Sequence, residues 1–432
     1  MKLGQGRIAA RLAEIGQEFG HGLGLELGRI GCALEALGRP QDRLAPVLHV
    51  AGTNGKGSVC AYLRAIGEAA GLAVHVFTSP HLIAPNERIR LAGQLIGDEA
   101  FLAVLDEVGA CGVHLTYFEA ITAAAILAFA RTPADWIVME VGLGGRFDAT
   151  NILKTALSVI TPLGLDHQTF LGPDLAHIAA AKAGVLRPGC PSIIARQPEA
   201  AMAVIEAEAA DVGARLLRCG SEWDAYPQNG QLIVQTSDSL YELPAPALLG
   251  RHQFDNAGLA VMASLAMQDG RITPKALATG LRQARWPGRM QPLTRGPLLA
   301  RAGGAELWLD GGHNPHAALA LAQTLRDMRA KRPAKLGLVW AMLQSKQAGE
   351  FLAPLVDLGP EIFAIGLDAG QACHAPQMLV DLAFAQGLTA RACASLDDAI
   401  SQAAHNGCGR ILITGSLHFA GEALAANGGL EP

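Results

Sequence analysis

The sequence predicts an α/β protein of two domains, and three observations carry that expectation. Its 432 residues exceed the usual size of one folding unit. Short β-branched runs alternate with helical stretches in two separate series, the word order of mostly parallel sheets. Between the series, RWPGRMQPL gathers Pro287, Gly288 and Pro292, which punctuate strongly and mark the boundary. The expected division is 1–290 and 291–432.

In the first series LAPVLHVAG, VHVFTS, WIVMEVG and LSVITP read as buried strands, and Ser58 to Ala70, Glu99 to Glu107 and Tyr117 to Ala130 as helices. LAHIAAAKAGVL is a helix closed by the Arg-Pro-Gly of 187–189; SIIAR and a long Ala-rich helix from Pro198 to Ala210 follow. Turn-rich sequence from Tyr226 to Ser239 predicts a small antiparallel excursion with LIVQT as one strand, before helices at Phe254–Met267 and Pro274–Gln283. The second series runs ELWLDG, a helix over Pro315–Met328, KLGLVWAM, a helix near Glu350–Leu358, EIFAIGL, a helix near Gln377–Ala385, RILITGS and a final helix. In such sheets ligands sit on the loops that end the strands.

Composition excludes several classes. Hydrophobic residues make up 50% and charged residues 17%, without a low-complexity block, as expected of a compact soluble chain. A net charge of -5 offers no basic face for a nucleic acid. The eight cysteines are scattered, with no CxxC pair, and fit thiols in a reducing compartment. MKLGQGRIAARLAEIG has no apolar export core, and no stretch reaches membrane-spanning length without charges or breakers, so a cytoplasmic protein with no membrane contact is expected.

The segment AGTNGKGSVC, Ala51 to Cys60, lies between a predicted strand and a predicted helix. It departs from the usual phosphate-loop spelling, since Val50 stands at the first Gly position and Gly57 at the hydroxyl position. Yet Gly52, Gly55 and Gly57 let successive amides approach a phosphate, the helix adds its positive end, and Lys56 supplies a cation. Ser58, one residue late, becomes the magnesium contact. In MEVGLGGRFDATN, Glu140 ends a strand ahead of Asp148 and Asn151, where a carboxylate reaches a hard cation or forms a helix cap. Asp166 and His167 end a third strand, as a metal-facing pair or as structural residues.

Lys182 lies in the apolar AHIAAAKAGVL, where spacing alone favours an ordinary lysine reaching solvent. GRHQFDNA and WPGRM present Asn256 and Arg289; LDGGHNPHA presents Asp310, His313 and Asn314, either at a site or as helix caps. No GxSxG elbow, zinc spacing or NAD fingerprint occurs, so no covalent nucleophile or hydride chemistry is indicated.

Taken in order, GTNGKGS, TSPHL followed by NERI, YFEAIT, EVGLGGRFDATN, GLDHQTFLG, AAKAGVLRPG, RHQFDNA, PGRM, DGGHNPHA and TGSLHFAGE resemble the folylpolyglutamate synthase and dihydrofolate synthase family, relatives of the Mur ligases. The resemblance implies a Mur-ligase-like pair of domains, an N-terminal P-loop ATPase domain carrying the folate site and a C-terminal Rossmann-like domain for glutamate ligation. It implies an ATP-dependent amide ligase, of the bacterial bifunctional type, that passes through an acyl phosphate and needs positioning and charge neutralisation more than a protein nucleophile. Its substrates would be ATP, L-glutamate and dihydropteroate or a reduced folate, acted on by a monomer.

Carried over by motif, Gly52, Thr53, Asn54, Gly55, Lys56, Gly57 and Ser58 would hold ATP, together with Asn256, Arg289 and Asp310. Ser58 and Glu140 would bind one Mg²⁺ and His167 a second, with a monovalent cation as a further expectation. Lys182 matches a lysine that is carbamylated to N6-carboxylysine, which reverses the reading from spacing. Lys56, Lys182 and His167 form the implied catalytic set. Leu27, Gly28 and Arg29 match one wall of the pteroate pocket, and Thr116, Tyr117, Phe118 and Glu119 the other, with Tyr117 or Phe118 to stack and Glu119 to accept from ring nitrogens; His313 would touch substrate. Two departures are a Gln347 after Lys346, where the family commonly has an acid, and AAAK, where a glutamate often precedes the lysine.

A monofunctional version, a Mur-type ligase of UDP-sugar peptides and a non-catalytic nucleotide-binding protein are the alternatives. The second is disfavoured because the chain opens almost directly into the ATPase unit. In either ligase reading Lys56→Ala is expected to lower turnover by about 10²-fold or more, measured as ADP release; turnover near wild type would refute the role given to this loop.

Overall fold

The computed structural model describes residues 3–16, 26–367 and 372–429. These form two compact units, Met1–Ala247 with Gln253–Arg285, and Leu248–His252 with Trp286–Pro432.

The first unit is built on eight strands: β1 (Val47–Ala51), β2 (Val74–Phe77), β3 (Ile89–Leu91), β4 (Gln94–Leu95), β5 (Trp136–Glu140), β6 (Leu157–Ile160), β7 (Pro191–Ile194) and β8 (Arg215–Arg218). Their order is β4-β3-β2-β5-β1-β6-β7-β8. β2, β5, β1, β6, β7 and β8 run parallel, and β3 and β4 form an antiparallel edge. All five residues of β1 and of β5 are buried, which is why their sequences are mostly apolar rather than alternating, with His49 and Glu140 the two polar exceptions. Since β2, β5, β1 and β6 are neighbours and parallel, the loops leaving their carboxyl ends gather at one edge of the sheet. Those loops cover residues 78–88, 141–148, 52–55 and 161–167.

The helix Tyr117–Arg131 (YFEAITAAAILAFAR) is apolar nearly all round and is buried over Glu119–Phe129, packed with Phe77, Ile89, Phe101 and Met139. A capping box fixes its start: the Glu119 amide donates to Thr116 Oγ1 at 3.2 Å and the Thr116 amide to Glu119 Oε2 at 2.8 Å. The helix Leu175–Ala183 is capped by Asp174, which accepts from the His177 amide at 3.0 Å.

The expected excursion is a three-stranded antiparallel sheet, β9 (Trp223–Gln228), β10 (Gln231–Thr236) and β11 (Leu240–Pro244), with LIVQT at its centre. The second unit holds β12 (Gln291–Pro292), β13 (Glu306–Leu309), β14 (Leu336–Trp340), β15 (Glu361–Ala364), β16 (Ala390–Ala392) and β17 (Arg410–Thr414), in the order β12-β13-β17-β14-β15-β16. All its pairings are parallel except β12 with β13.

Several elements lie outside the expected set. Helices form at Leu3–Ile15 and Gly28–Ala36, and β3, β4, β8 and β16 join the sheets. β4 and β16 are two and three residues long, too short for any period to register. The helix expected near Glu350–Leu358 is instead Ala348–Leu352 followed by a tighter 3₁₀ turn over Ala353–Leu358, because Pro354 lacks the N–H that would continue an α-helix. Among the described residues no helix is long and apolar enough to cross a membrane.

Gly52 has φ 144°, and a Cβ there would lie 1.8 Å from Thr161 Oγ1. Gly71 also has positive φ, 80°, but a Cβ would meet open space. Gly71→Ala is therefore expected to destabilise by about 1 kcal/mol through backbone strain alone, and Gly52→Ala by at least ~2 kcal/mol. Urea midpoints at unchanged m-value measure both, and equal losses would refute the clash.

Candidate active site

The loop after β1 turns back over its own strand. Lys56 Nζ donates to the carbonyls of Gly52 at 3.2 Å and Thr53 at 3.3 Å. Thr53 Oγ1 donates to the Gly164 carbonyl at 3.1 Å and accepts from the Gly164 amide at 3.2 Å, stitching this loop to the one after β6. The amides of Thr53 and Asn54 donate to the Pro162 carbonyl at 3.3 and 3.4 Å, so they face the neighbouring loop rather than a ligand. The donors left for an anion are in the first turn of the helix Lys56–Ala69, where Lys56, Gly57 and Ser58 amides have no intrahelical acceptor. Gly55, at φ 89°, presses on Asn256: a Cβ would lie 2.4 Å from Asn256 Oδ1. Ser58 is buried, and its hydroxyl oxygen accepts a long 3.4 Å bond from Gln253, which in turn accepts from Asn256 at 3.1 Å.

Lys182 does not reach solvent as its spacing suggests. It is 5% exposed, and its Nζ donates to the Gly52 carbonyl at 2.7 Å, beside Lys56. The physical reason is tertiary: the 142–148 loop packs on its helix, with the Arg146 amide bonded to the Ala181 carbonyl at 2.8 Å. Gly145 approaches so closely that a Cβ would meet the Ala181 and Lys182 carbonyls at 2.9 and 3.0 Å. Burial, with the nearby Lys56 charge, pushes the Lys182 ammonium down to about 7, while Asp166 and Asp148 act in the opposite sense.

Glu140 ends β5, is buried, and accepts from the Ser79 amide at 3.1 Å. Asp148 serves its own loop. It accepts from the Leu143 amide at 2.8 Å, the Thr150 amide at 3.0 Å and Thr150 Oγ1 at 2.5 Å. The same Thr150 hydroxyl meets buried His49 Nε2 at 2.8 Å. Burial raises the Asp148 carboxyl above its ordinary value, against these donors. His167 has left-handed backbone, φ 52°, its amide held by Asp166 Oδ1 at 2.8 Å, and its ring is 45% exposed on the loop after β6. Asn151 is a strut, donating to the Arg146 and Gly184 carbonyls at 2.9 and 3.1 Å.

Near the start of the helix Tyr117–Arg131, Arg29 forks onto Glu119, with Nε at 3.2 Å from Oε2 and Nη2 at 3.0 Å from Oε1. With the Thr116 amide, three donors already occupy this carboxylate, most of the acceptor capacity that the sequence reading reserves for a heterocycle. Tyr117 is 36% exposed, and Phe118 packs between Gly142 and Phe77. Leu27 and Gly28 line a 450 Å³ cavity with Gly31, Cys32, Ile152 and Lys154.

In the second unit, Asp310 accepts from the Met290 amide at 2.8 Å and the Gly312 amide at 2.7 Å, tying the Arg289 segment to the end of β13. Burial raises its carboxyl and the Arg289 charge opposes this. Arg289 Nη1 donates to the Gly288 carbonyl at 3.0 Å, His313 Nδ1 to the Gly311 carbonyl at 2.9 Å, and Asn314 caps the helix Pro315–Lys331.

Among the described residues no group of three or more His, Cys, Asp or Glu side chains could cage a metal ion. A magnesium ion that arrives with nucleotide phosphates needs only one or two carboxylates, and buried Glu140 beside the Lys56–Ala69 first turn fits that kind of site. Sequence reasoning passed over three residues here: Ser79, which holds Glu140, and His81 and Arg88, bonded to each other at 2.9 Å. Their only signal was membership of the TSPHL and NERI segments.

Comparison with known proteins matches the Mur ligase middle domain to residues 50–264 and the Mur ligase, glutamate ligase domain to residues 288–417. The dihydrofolate synthase/folylpolyglutamate synthase of Bacillus subtilis is 33% identical over 414 residues, covering 91% of this chain and 93% of that protein. Its counterpart in Escherichia coli is 33% identical over 339 residues, 78% and 76% of the two chains. The solved E. coli structure in complex with DHPP and ADP superposes with TM-score 0.87 at 30% identity, covering 97% of each chain. A bifunctional folylpolyglutamate synthase/dihydrofolate synthase from Yersinia pestis, complexed with AMPPNP and Mn ion, gives 0.86 at 32% identity, again over 97% of each. A structure of such a bifunctional enzyme with Mn, AMPPNP and L-glutamate bound gives 0.84 at 31% identity and the same coverage.

The Lys182 shift fixes the sign of a pH effect. Unfolded, the group keeps its proton up to its ordinary value of about 10.5; folded, it loses it near 7. Below pH 7 both states are protonated and the burial penalty opposes folding in full. Between 7 and 10.5 the unfolded chain binds more protons, so this contribution favours folding increasingly as pH rises. In CO₂-free buffer, the stability of wild type minus that of Lys182→Met is expected to climb by up to about 1.4 kcal/mol per pH unit in that window. Urea titrations at pH 6.5, 8 and 9.5 measure it, and a flat difference would refute the buried amine.

Proposed function

The chain belongs to the folylpolyglutamate synthase/dihydrofolate synthase family of the Mur ligase superfamily, and from that premise we propose how its residues divide the work. It is an ATP-dependent acid–amino-acid ligase that joins L-glutamate to dihydropteroate and to folates. A carboxylate oxygen of the acceptor bonds to the γ-phosphorus of ATP as the bond to the bridging oxygen breaks and ADP leaves. The neutral α-amine of glutamate then attacks the acyl carbon, loses a proton, and phosphate departs. Neither step needs a protein nucleophile; both need like charges held together.

In this reading the 52–58 segment is a P-loop. Lys56 swings from the Gly52 and Thr53 carbonyls to the phosphates, and the first-turn amides of the Lys56–Ala69 helix receive their oxygens. Residues 1–290 carry ATP and the folate, and the Rossmann-like 291–432 serves glutamate ligation. Ser58 and Glu140 would hold one Mg²⁺ and His167 a second, with a monovalent cation alongside; magnesium, when bound, neutralises phosphate charge. Asn256, Arg289 and Asp310 meet the nucleotide. Leu27, Gly28, Arg29, Thr116, Tyr117, Phe118 and Glu119 form the acceptor pocket, with Glu119 aligning Arg29, and His313 touches substrate.

The observation that carries this reading is the convergence of Lys56 and Lys182 on one carbonyl at the end of β1, next to the strand that ends in Glu140. A buried amine that loses its proton near pH 7 is a nucleophile for CO₂, so Lys182 becomes N6-carboxylysine: nitrogen bonds to carbon and releases a proton. The product is an anion between the Lys56 cation and the metal region.

The deciding experiment supplies ATP, magnesium and glutamate with either dihydropteroate or tetrahydrofolate. ADP release with both acceptors is expected. Release with only one would leave a monofunctional enzyme, and release with neither would sink the assignment.

A further inference from the structure

β1 carries one polar side chain into the core, the imidazole of His49. Its Nε2 stands 2.8 Å from Thr150 Oγ1, and that hydroxyl stands 2.5 Å from Asp148 Oδ1. A carboxylate only accepts, so the single Thr150 proton goes to Asp148 and His49 is the donor to Thr150. Burial, with the Arg187 charge, pushes His49 down to about 3, so the ring is neutral and owns one proton. That proton sits on Nε2. Nδ1 is buried with no hydrogen-bond partner, an orphaned acceptor that the fold tolerates in order to aim the other nitrogen.

These bonds are one side of a closed ring. From Asp148 the ring passes to the Leu143 amide at 2.8 Å and along the 142–148 loop, whose Arg146 amide bonds to the Ala181 carbonyl at 2.8 Å. The next residue in that helix is Lys182, whose Nζ donates to the Gly52 carbonyl at 2.7 Å. Gly52 follows β1 directly, three positions after His49, so the ring returns to the strand it left. Arg187 braces the outside, donating to the Asn151 carbonyl at 2.9 Å and the Gly184 carbonyl at 3.1 Å. His49 is where the loop after β5 is tied back to β1.

We propose that His49 is a positioning residue for Lys182: by donating through Thr150 to Asp148 it keeps the 142–148 loop closed over the lysine. Its bearing on catalysis rests on the ligase reading, in which Lys182 works as a carboxylated anion beside Lys56. With the loop closed, Lys182 is 5% exposed and leans on one carbonyl. Opening the loop admits water to the nitrogen, weakens its field on the Lys56 cation and frees Nζ from Gly52. His49 itself exchanges no proton in the reaction. A histidine that merely filled space beneath the loop would be replaced by any side chain of its size.

The test reads the loop directly, by the rate at which acetic anhydride labels Lys182 in CO₂-free buffer, with exposed Lys275 as the internal standard. Glutamine places its amide nitrogen where imidazole has Nε2, and asparagine where it has Nδ1. His49→Gln is therefore expected to label within about threefold of wild type, and His49→Asn and His49→Leu about 10-fold faster, through loss of one buried hydrogen bond. Thr150→Val is expected to match His49→Leu, and Thr150→Ser to match wild type, which carries the test should a His49 variant fold poorly. Combining His49→Leu with Thr150→Val is expected to add nothing further. Equal rates for His49→Gln and His49→Asn, additive rates in the double variant, or a wild-type rate for His49→Leu would overturn the proposal. ADP release with dihydropteroate is expected to fall in the same order; labelling in this order with turnover unchanged would instead refute the role given to Lys182 in the ligase reading.

Discussion

Lys182 reaches the Gly52 carbonyl at 2.7 Å, and the arrangement around it follows from burying that ammonium. A lone buried cation is costly, so its proton is labile and its surroundings must be fixed. Gly52 can present its carbonyl because it has no side chain, which would otherwise run into Thr161. The Leu175–Ala183 helix can come close because Gly145 lets the 142–148 loop lie against its last turn. Asp148 holds that loop closed, and Thr150 and His49 anchor Asp148 beneath β1.

The result is a balanced group of charges at one end of a parallel sheet. Lys56, Lys182 and Arg88 face Glu140, Asp148 and Asp166, supplied by the loops after β1, β2, β5 and β6 and by one helix. Few of the cations have a carboxylate partner of their own; they lean on carbonyls or, for Arg88, on a histidine nitrogen. Cations that lean on neutral acceptors rather than on a carboxylate of their own keep their charge available to an anion. By contrast, Arg29 and Glu119 are already paired with each other.

Much of this was legible in the chain. VLHVA and WIVME are legible as strands because short apolar, β-branched-rich runs, interrupted only by His49 and ended by Glu140, lie between turn residues and have few alternatives. GTNGKGS announced a ligand loop through glycine, lysine and its place between strand and helix. What escaped were elements without a period, such as the two-residue β4 and three-residue β16, and side chains whose meaning lies in their neighbours. Lys182 among alanines looks like any surface lysine until the 142–148 loop is laid over it. Glu119 looks like a free acceptor until Arg29, 90 positions away, closes on it.

The sequence by itself determined the two alternating series, the strand ends on which ligands gather and the family to which ten ordered segments point. These are local: period, glycine and proline placement, and runs of residue type act over a few positions of chain. Tertiary structure alone decided which amides of the loop are already used, that Lys182 is buried and readily deprotonated, and that Glu87 clamps its own loop while Arg88 bonds to His81. Those outcomes depend on which groups are shielded from water and which donors are already used, and shielding is produced only when segments distant in the chain pack together.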